Sequence, residues 1–224
     1  MRQHAVTRAE LLALRPSWRG WIHTVAAPIA LVAGIVLVAL APTTDRKIAC
    51  AVYAFTGLAL FSISAVYHRG NWSPRVKTIL KRIDHTNIVL VIAGTYTPLS
   101  WVLLPRPTAL VLLVAVWGAA ALTVLFRVVW VTAPRWLYVP IYVALGCAAF
   151  LFLPQFFAAN VPAAILVCLG GAFYIAGAVF YGIRRPNFSW RHFGFHEFFH
   201  AFTVAGFAVH FVAIMVAILG APGL

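Results

Sequence analysis

Charge is what this chain has least of. Only 9% of its 224 residues are charged, and four are acidic: Glu10, Asp45, Asp84 and Glu197. A soluble globular domain carries about 25% charged residues, so the scarcity argues against a water-solvated fold. Cysteine is also sparse. Cys50, Cys147 and Cys168 are odd in number, stand inside apolar runs and form no C-x-x-C pair. That argues against a disulfide framework or a thiolate metal site, and the three read as small packing residues. Neither an internal repeat nor a low-complexity segment is found.

What is present is hydrocarbon, with 63% of the residues hydrophobic. A transmembrane helix needs about 20 mostly apolar residues. Seven such runs occupy roughly 21–41, 47–67, 84–104, 108–127, 136–157, 162–183 and 194–219. The expected fold is all-α, one seven-helix membrane domain over 1–224 that includes a cytoplasmic N-terminal segment at 1–20. The first run ends in "ALAP", Ala39 to Pro42, which resembles a signal-peptidase site. It is longer than the roughly 7–15 apolar residues of a signal peptide, so it is read as a retained span.

A net charge of +13 raises the question of nucleic acid, and the placement of the charges answers it. The N-terminus holds Arg2, Arg8, Arg15 and Arg19; the second loop Arg69, Arg75, Lys77, Lys81 and Arg82; the fourth Arg127 and Arg135; the sixth Arg184, Arg185 and Arg191. These fourteen lie on one side, against Arg46, Lys47 and Arg106 on the other. Such asymmetry over short loops is the positive-inside signature. It predicts a cytoplasmic N-terminus and an outside C-terminus, with membrane lipids rather than nucleic acid as partners. Trp18, Trp21, Trp72, Trp101, Trp130, Trp136 and Trp190 fall near predicted span ends, where amphipathic rings favour the headgroup region.

Two segments carry local signals of their own. "TRAELLALRP" opens with a capping-box pattern, Thr7 to Glu10, and closes at Pro16; it reads either as a short helix on the cytoplasmic surface or as a basic tail. "SPRVKTILKRID" has Ser73 as a cap, Pro74 at the first helical position and Val76, Ile79, Leu80 and Ile83 at helical spacing, so a helix along the interface leading into the third span is expected. Pro28, Pro98 and Pro140 stand within spans and predict kinks.

An ionisable group at the centre of a membrane helix costs at least about 2.5–3.5 kcal/mol and is a functional candidate by default. Outside the loops these are His23, His68, Asp84, His85, His196, Glu197, His200 and His210. Under the predicted topology His68 ends the second span at the cytoplasmic face, and Asp84, His196 and His200 lie near the same face. His196 and His200 are four apart, so one helical face presents both, and Ser64 and His68 in "SAVYH" repeat the relation. Three histidines suit Zn²⁺ with a fourth position left for water. Asp84, the only aspartate within the predicted spans, is the carboxylate placed to handle that water. His23, His85 and His210 read as interhelical hydrogen-bonding residues; His210 lies roughly 15 Å along the helix from His200, too far to share the ion.

"HEFFH", His196 to His200, also spells H-E-x-x-H, the pattern of zinc proteases with the glutamate as general base. No further acidic residue follows Glu197, so a third ligand would have to be His68 or Asp84. Taken together, "SAVYH" at 64–68, "RIDHTNIVLVIAGTYTP" at 82–98 and "HEFFHAFTVAGFAVHF" at 196–211 resemble the bacterial haemolysin III family, which is similar to the adiponectin and progestin receptor family and more distantly to alkaline ceramidases. The resemblance implies zinc ligands at His68, His196 and His200, a metal-water carboxylate at Asp84 and the family's serine at Ser64. It implies a multi-pass protein of a bacterial cell membrane and gives Glu197 no catalytic role, leaving it free to pair with a loop cation such as Arg191. The expected function is a zinc-dependent hydrolase of lipid amides or esters in membrane lipid homeostasis. A non-enzymatic sensor with structural zinc, a cytolytic protein and an intramembrane metalloprotease are the alternatives.

Overall fold

The structure is a computed structural model that describes residues 16–189 and 191–220. The segment holding Thr7 and Glu10, with Arg2, Arg8, Arg15 and Trp190, lies outside the described residues. Among the described residues seven helices are long and apolar enough to cross a membrane: Trp21–Leu40, Thr44–Arg69, Pro74–Leu103, Arg106–Val129, Arg135–Ala159, Val161–Ile183 and Phe195–Gly220. The chain is a multi-pass integral membrane protein.

Lipid tails are as apolar as leucine, so helices associate by close packing and buried polar contacts. The first span buries a stripe of small residues, Ala26, Ala30 and Gly34, with His23 at its head. Consecutive spans pack side by side, and the seventh also returns to the first and third. This antiparallel succession brings the starts of the odd-numbered spans and the ends of the even-numbered ones to one end of the bundle, which holds Ser64, His68, Asp84, His196 and His200. At the opposite end Asp45 accepts from Thr43 (2.5 Å), Trp101 Nε1 (2.7 Å) and Arg106 (2.6 Å), tying three spans together. Asp45 lies in the first turn of the second span, so Asp84 is not the only aspartate in a span; it is the one at the histidine end.

Two elements differ from their sequence readings. Ser73 does cap, its hydroxyl accepting from Val76 N, and Pro74 does begin the helix. This segment is not a separate interfacial helix, because no glycine or proline interrupts residues 75–93 and one helix runs unbroken from Pro74 to Leu103. The fifth span is regular through Pro140 but changes to a tighter 3₁₀ segment over Cys147–Phe152. Tyr96 of the third span serves that break. Its hydroxyl donates to Gly146 O (2.7 Å) and accepts from Ala149 N (2.7 Å).

Candidate metal centre

The second span turns Ser64 and His68, one helical turn apart, onto its buried face. The seventh buries a stripe of Glu197, His200, Thr203, Gly206 and His210, and His196 borders the same stripe one turn before His200. Where the two helices meet, Nε2 of His196 lies 3.2 Å from Nε2 of His68. The His200 ring centroid is 5.0 Å from that of His68 and 4.6 Å from that of His196. One ring nitrogen from each of the three lies within 4.8 Å of the others. Oδ2 of Asp84 is 3.9 Å from Nε2 of His68, and Ser64 is the hydrogen-bond partner of Asp84. All five sequence candidates are therefore brought together.

The donor chemistry of the three histidines fits a metal ion. Two Nε2 atoms 3.2 Å apart cannot both carry a proton toward each other; one proton between them, or a cation in its place, resolves the contact. The cluster stands at one end of a cavity of about 140 Å³ that follows the seventh span from His196 to His210 and is lined largely by apolar residues such as Ile88, Leu99 and Phe156.

The sequence model of the haemolysin-III related family matches residues 12–211. The chain belongs to that family. Hemolysin-3 of Bacillus cereus is 27% identical over 201 residues, covering 88% of this chain and 89% of that protein. The Hemolysin-3 homolog of Bacillus subtilis (strain 168) is 28% identical over 165 residues, covering 73% of this chain and 74% of that protein. Ser64, His68, Asp84, His196 and His200 all fall within the stretch matched by the haemolysin-III family model.

Glu197 does not pair with Arg191. Its Oε1 meets Nε of Arg19 and its Oε2 accepts from Gly194 N at 2.9 Å. The reason is the path of the N-terminal arm. Ser17 N and Trp18 N donate to the carbonyls of Arg191 (3.0 Å) and His192 (3.3 Å), which lays the arm across the start of the seventh span and delivers Arg19 to Glu197. Gly20 then turns the chain into the first span at φ 85°, and a Cβ there would meet the His68 Cβ at 2.9 Å. In the sequence Arg19 is one of four N-terminal arginines, and no local pattern links it to a residue so far along the chain.

The other histidines separate by role. His210 makes the expected interhelical hydrogen bond, Nε2 to Val167 O at 3.1 Å. His85 bonds within its own helix instead, Nδ1 to Lys81 O at 2.6 Å. His23 lies flat on His200, with centroids 3.9 Å apart and planes 2° apart, so it backs one member of the cluster. Arg127, by sequence a loop cation, lies in the last turn of the fourth span; it is 1% exposed, and its guanidinium sits 4.3 Å from the Tyr138 ring centroid.

Proposed function

We propose that this chain is a zinc-dependent hydrolase that cleaves a lipid amide or ester, with the histidine cluster at the cytoplasmic face. The observation that carries the reading is the meeting of the His68, His196 and His200 nitrogens within 4.8 Å at the polar end of an apolar cavity. Three imidazoles with one further position open are the donor set of a catalytic zinc site. When bound, the ion supplies a Lewis acid and acidifies water to a pKa near 7. Asp84 stands beside the cluster to accept the proton from that water. Ser64 orients the Asp84 carboxyl and can donate to the charge that develops on the substrate carbonyl oxygen. The cavity receives the acyl chain and keeps bulk water from it. The cytoplasmic assignment is supported by the fourteen-to-three division of Lys and Arg between the two sides.

Metal analysis and lipid turnover on the purified protein test the reading. About one zinc per chain is expected, lost in His196→Ala and in His200→Ala because three ligands fall to two. Hydrolysis should disappear in Asp84→Asn with the zinc retained. A sensor with structural zinc would keep its function in Asp84→Asn, and that result would overturn the hydrolase. The names of the Bacillus relatives point to lysis, but a water-filled pore finds little support in spans four to six. Their Lys, Arg, Asp, Glu and His residues are Arg106, Arg127 and Arg135, each within a turn of a span end.

A further inference from the structure

Lys81, Arg127 and Arg135 converge at the histidine end from the start of the third span, the end of the fourth and the start of the fifth. Lys81 stands one helical turn before His85, which bonds its carbonyl; the His85 ring centroid is 6.1 Å from that of Tyr138, and Arg127 and Arg135 lie over Tyr138 and Tyr181. Ion pairs among the described residues join Arg19 to Glu197, His68 to Asp84 and Arg106 to Asp45, so no carboxylate among the described residues pairs with these three cations. Arg127 donates to the carbonyls of Trp130 (3.3 Å) and Val131 (3.4 Å), which ends the fourth span, while its buried Nε has no partner among the described residues. Arg135 donates to Tyr181 O at 3.1 Å and lies 4.1 Å from the Tyr181 ring centroid. A carbonyl accepts a hydrogen bond but carries no compensating charge, and uncompensated cations in a poorly solvated site are costly.

What would offset that cost must reach the site through the cavity or from its rim. Tyr138 and Tyr181, on which the two guanidinium groups rest, both line the cavity, and their hydroxyls are 3.2 Å apart. The cavity interior is apolar, so its occupant has a hydrocarbon part. We propose that Lys81 and Arg135, backed by the buried charge of Arg127, form a headgroup site for a phosphate-bearing anionic lipid whose chain lies in the cavity. A guanidinium matches a phosphate through two parallel hydrogen bonds, and an ammonium adds a point charge beside it. The proposal takes from the hydrolase reading only that the cavity holds a lipid chain; it requires neither metal nor turnover. Free inorganic phosphate offers the same headgroup chemistry without the chain.

The test is binding to the full-length protein in phosphatidylcholine nanodiscs, read by native mass spectrometry. Lysophosphatidic acid, lysophosphatidylcholine of equal chain length and inorganic phosphate are the probes. Lysophosphatidic acid should bind on the order of tenfold more tightly than lysophosphatidylcholine, since each nearby Lys or Arg adds to anionic lipid attraction. The Lys81→Gln/Arg135→Gln double variant should lose most of that preference, and restoring charge with Arg135→Lys should recover part of it. Arg75→Gln/Lys77→Gln, which alters exposed cations on the same helix, should leave it intact. The preference should survive His200→Ala, so a failed hydrolase would leave this result standing. Equal binding of the two lipids by the wild type, or full preference in the double variant, would overturn the site. Displacement of lysophosphatidic acid by equimolar inorganic phosphate would assign the cluster to free phosphate and overturn the lipid form. If the double variant does not fold, Lys81→Gln alone should reduce the preference, and no reduction counts against the proposal.

Discussion

Asp84 and Glu197 both stand beside the histidines, and their partners separate their roles. Asp84 faces His68 and Ser64, whereas both oxygens of Glu197 are taken by Arg19 and Gly194 N. In Asp84→Asn, an amide that cannot accept a proton should lower turnover by about 10²–10⁴-fold, with zinc content unchanged by elemental analysis. Glu197→Gln loses the charge that holds Arg19. It should lower stability by about 1–3 kcal/mol, seen as a reduced Tm in detergent, while metal content and turnover per folded molecule persist. An inactive Glu197→Gln that keeps its metal, beside an active Asp84→Asn, would restore the protease meaning of H-E-x-x-H. Gly20→Ala should be destabilising for another reason. Its left-handed backbone costs a side chain about 1–2 kcal/mol, and its Cβ would press on His68. Loss of both Tm and metal affinity is expected.

At the scale of the helix, the fifth span depends on a hydroxyl from elsewhere. A 3₁₀ turn in a membrane leaves backbone groups that water cannot serve, and Tyr96 serves one carbonyl and one N–H of that turn. Tyr96→Phe should cost about 1–3 kcal/mol and raise hydrogen exchange at residues 145–150 before the rest of the bundle; unchanged exchange there would contradict the assignment. The same contrast explains what could be read from the sequence. S-x-x-x-H, H-x-x-x-H and the Ser73-Pro74 start are local, one helical turn or less, and periodicity alone places them. The Tyr96 contact, the stacking of His23 on His200 and the Arg19–Glu197 pair join residues distant in sequence, and no spacing rule reports them. The cluster could be inferred across spans because alternating span direction put His68, Asp84, His196 and His200 in one layer.

For the molecule as a whole, the positive-inside rule applied to the basic residues at one end of the bundle predicts an inside N-terminus and an outside C-terminus. A periplasm-active reporter fused to the C-terminus should be active and a cytoplasm-active one silent; the reverse would place the histidine end outside. The distance along the chain between His68 and its partner His196, 128 residues, has a consequence for synthesis. At about 5–20 residues per second, the second span waits on the order of 10 s in the bilayer before the seventh is made. During that interval Ser64, His68 and Asp84 stand in a half-built wall, with His23 lacking the ring it will cover. The seventh span, made long after the second, therefore completes the cluster, and the arm at residues 16–20, made before either, can lock onto its start only then. Chains truncated before Phe195 should insert their earlier spans and still be recognisable to quality-control proteases as unfinished.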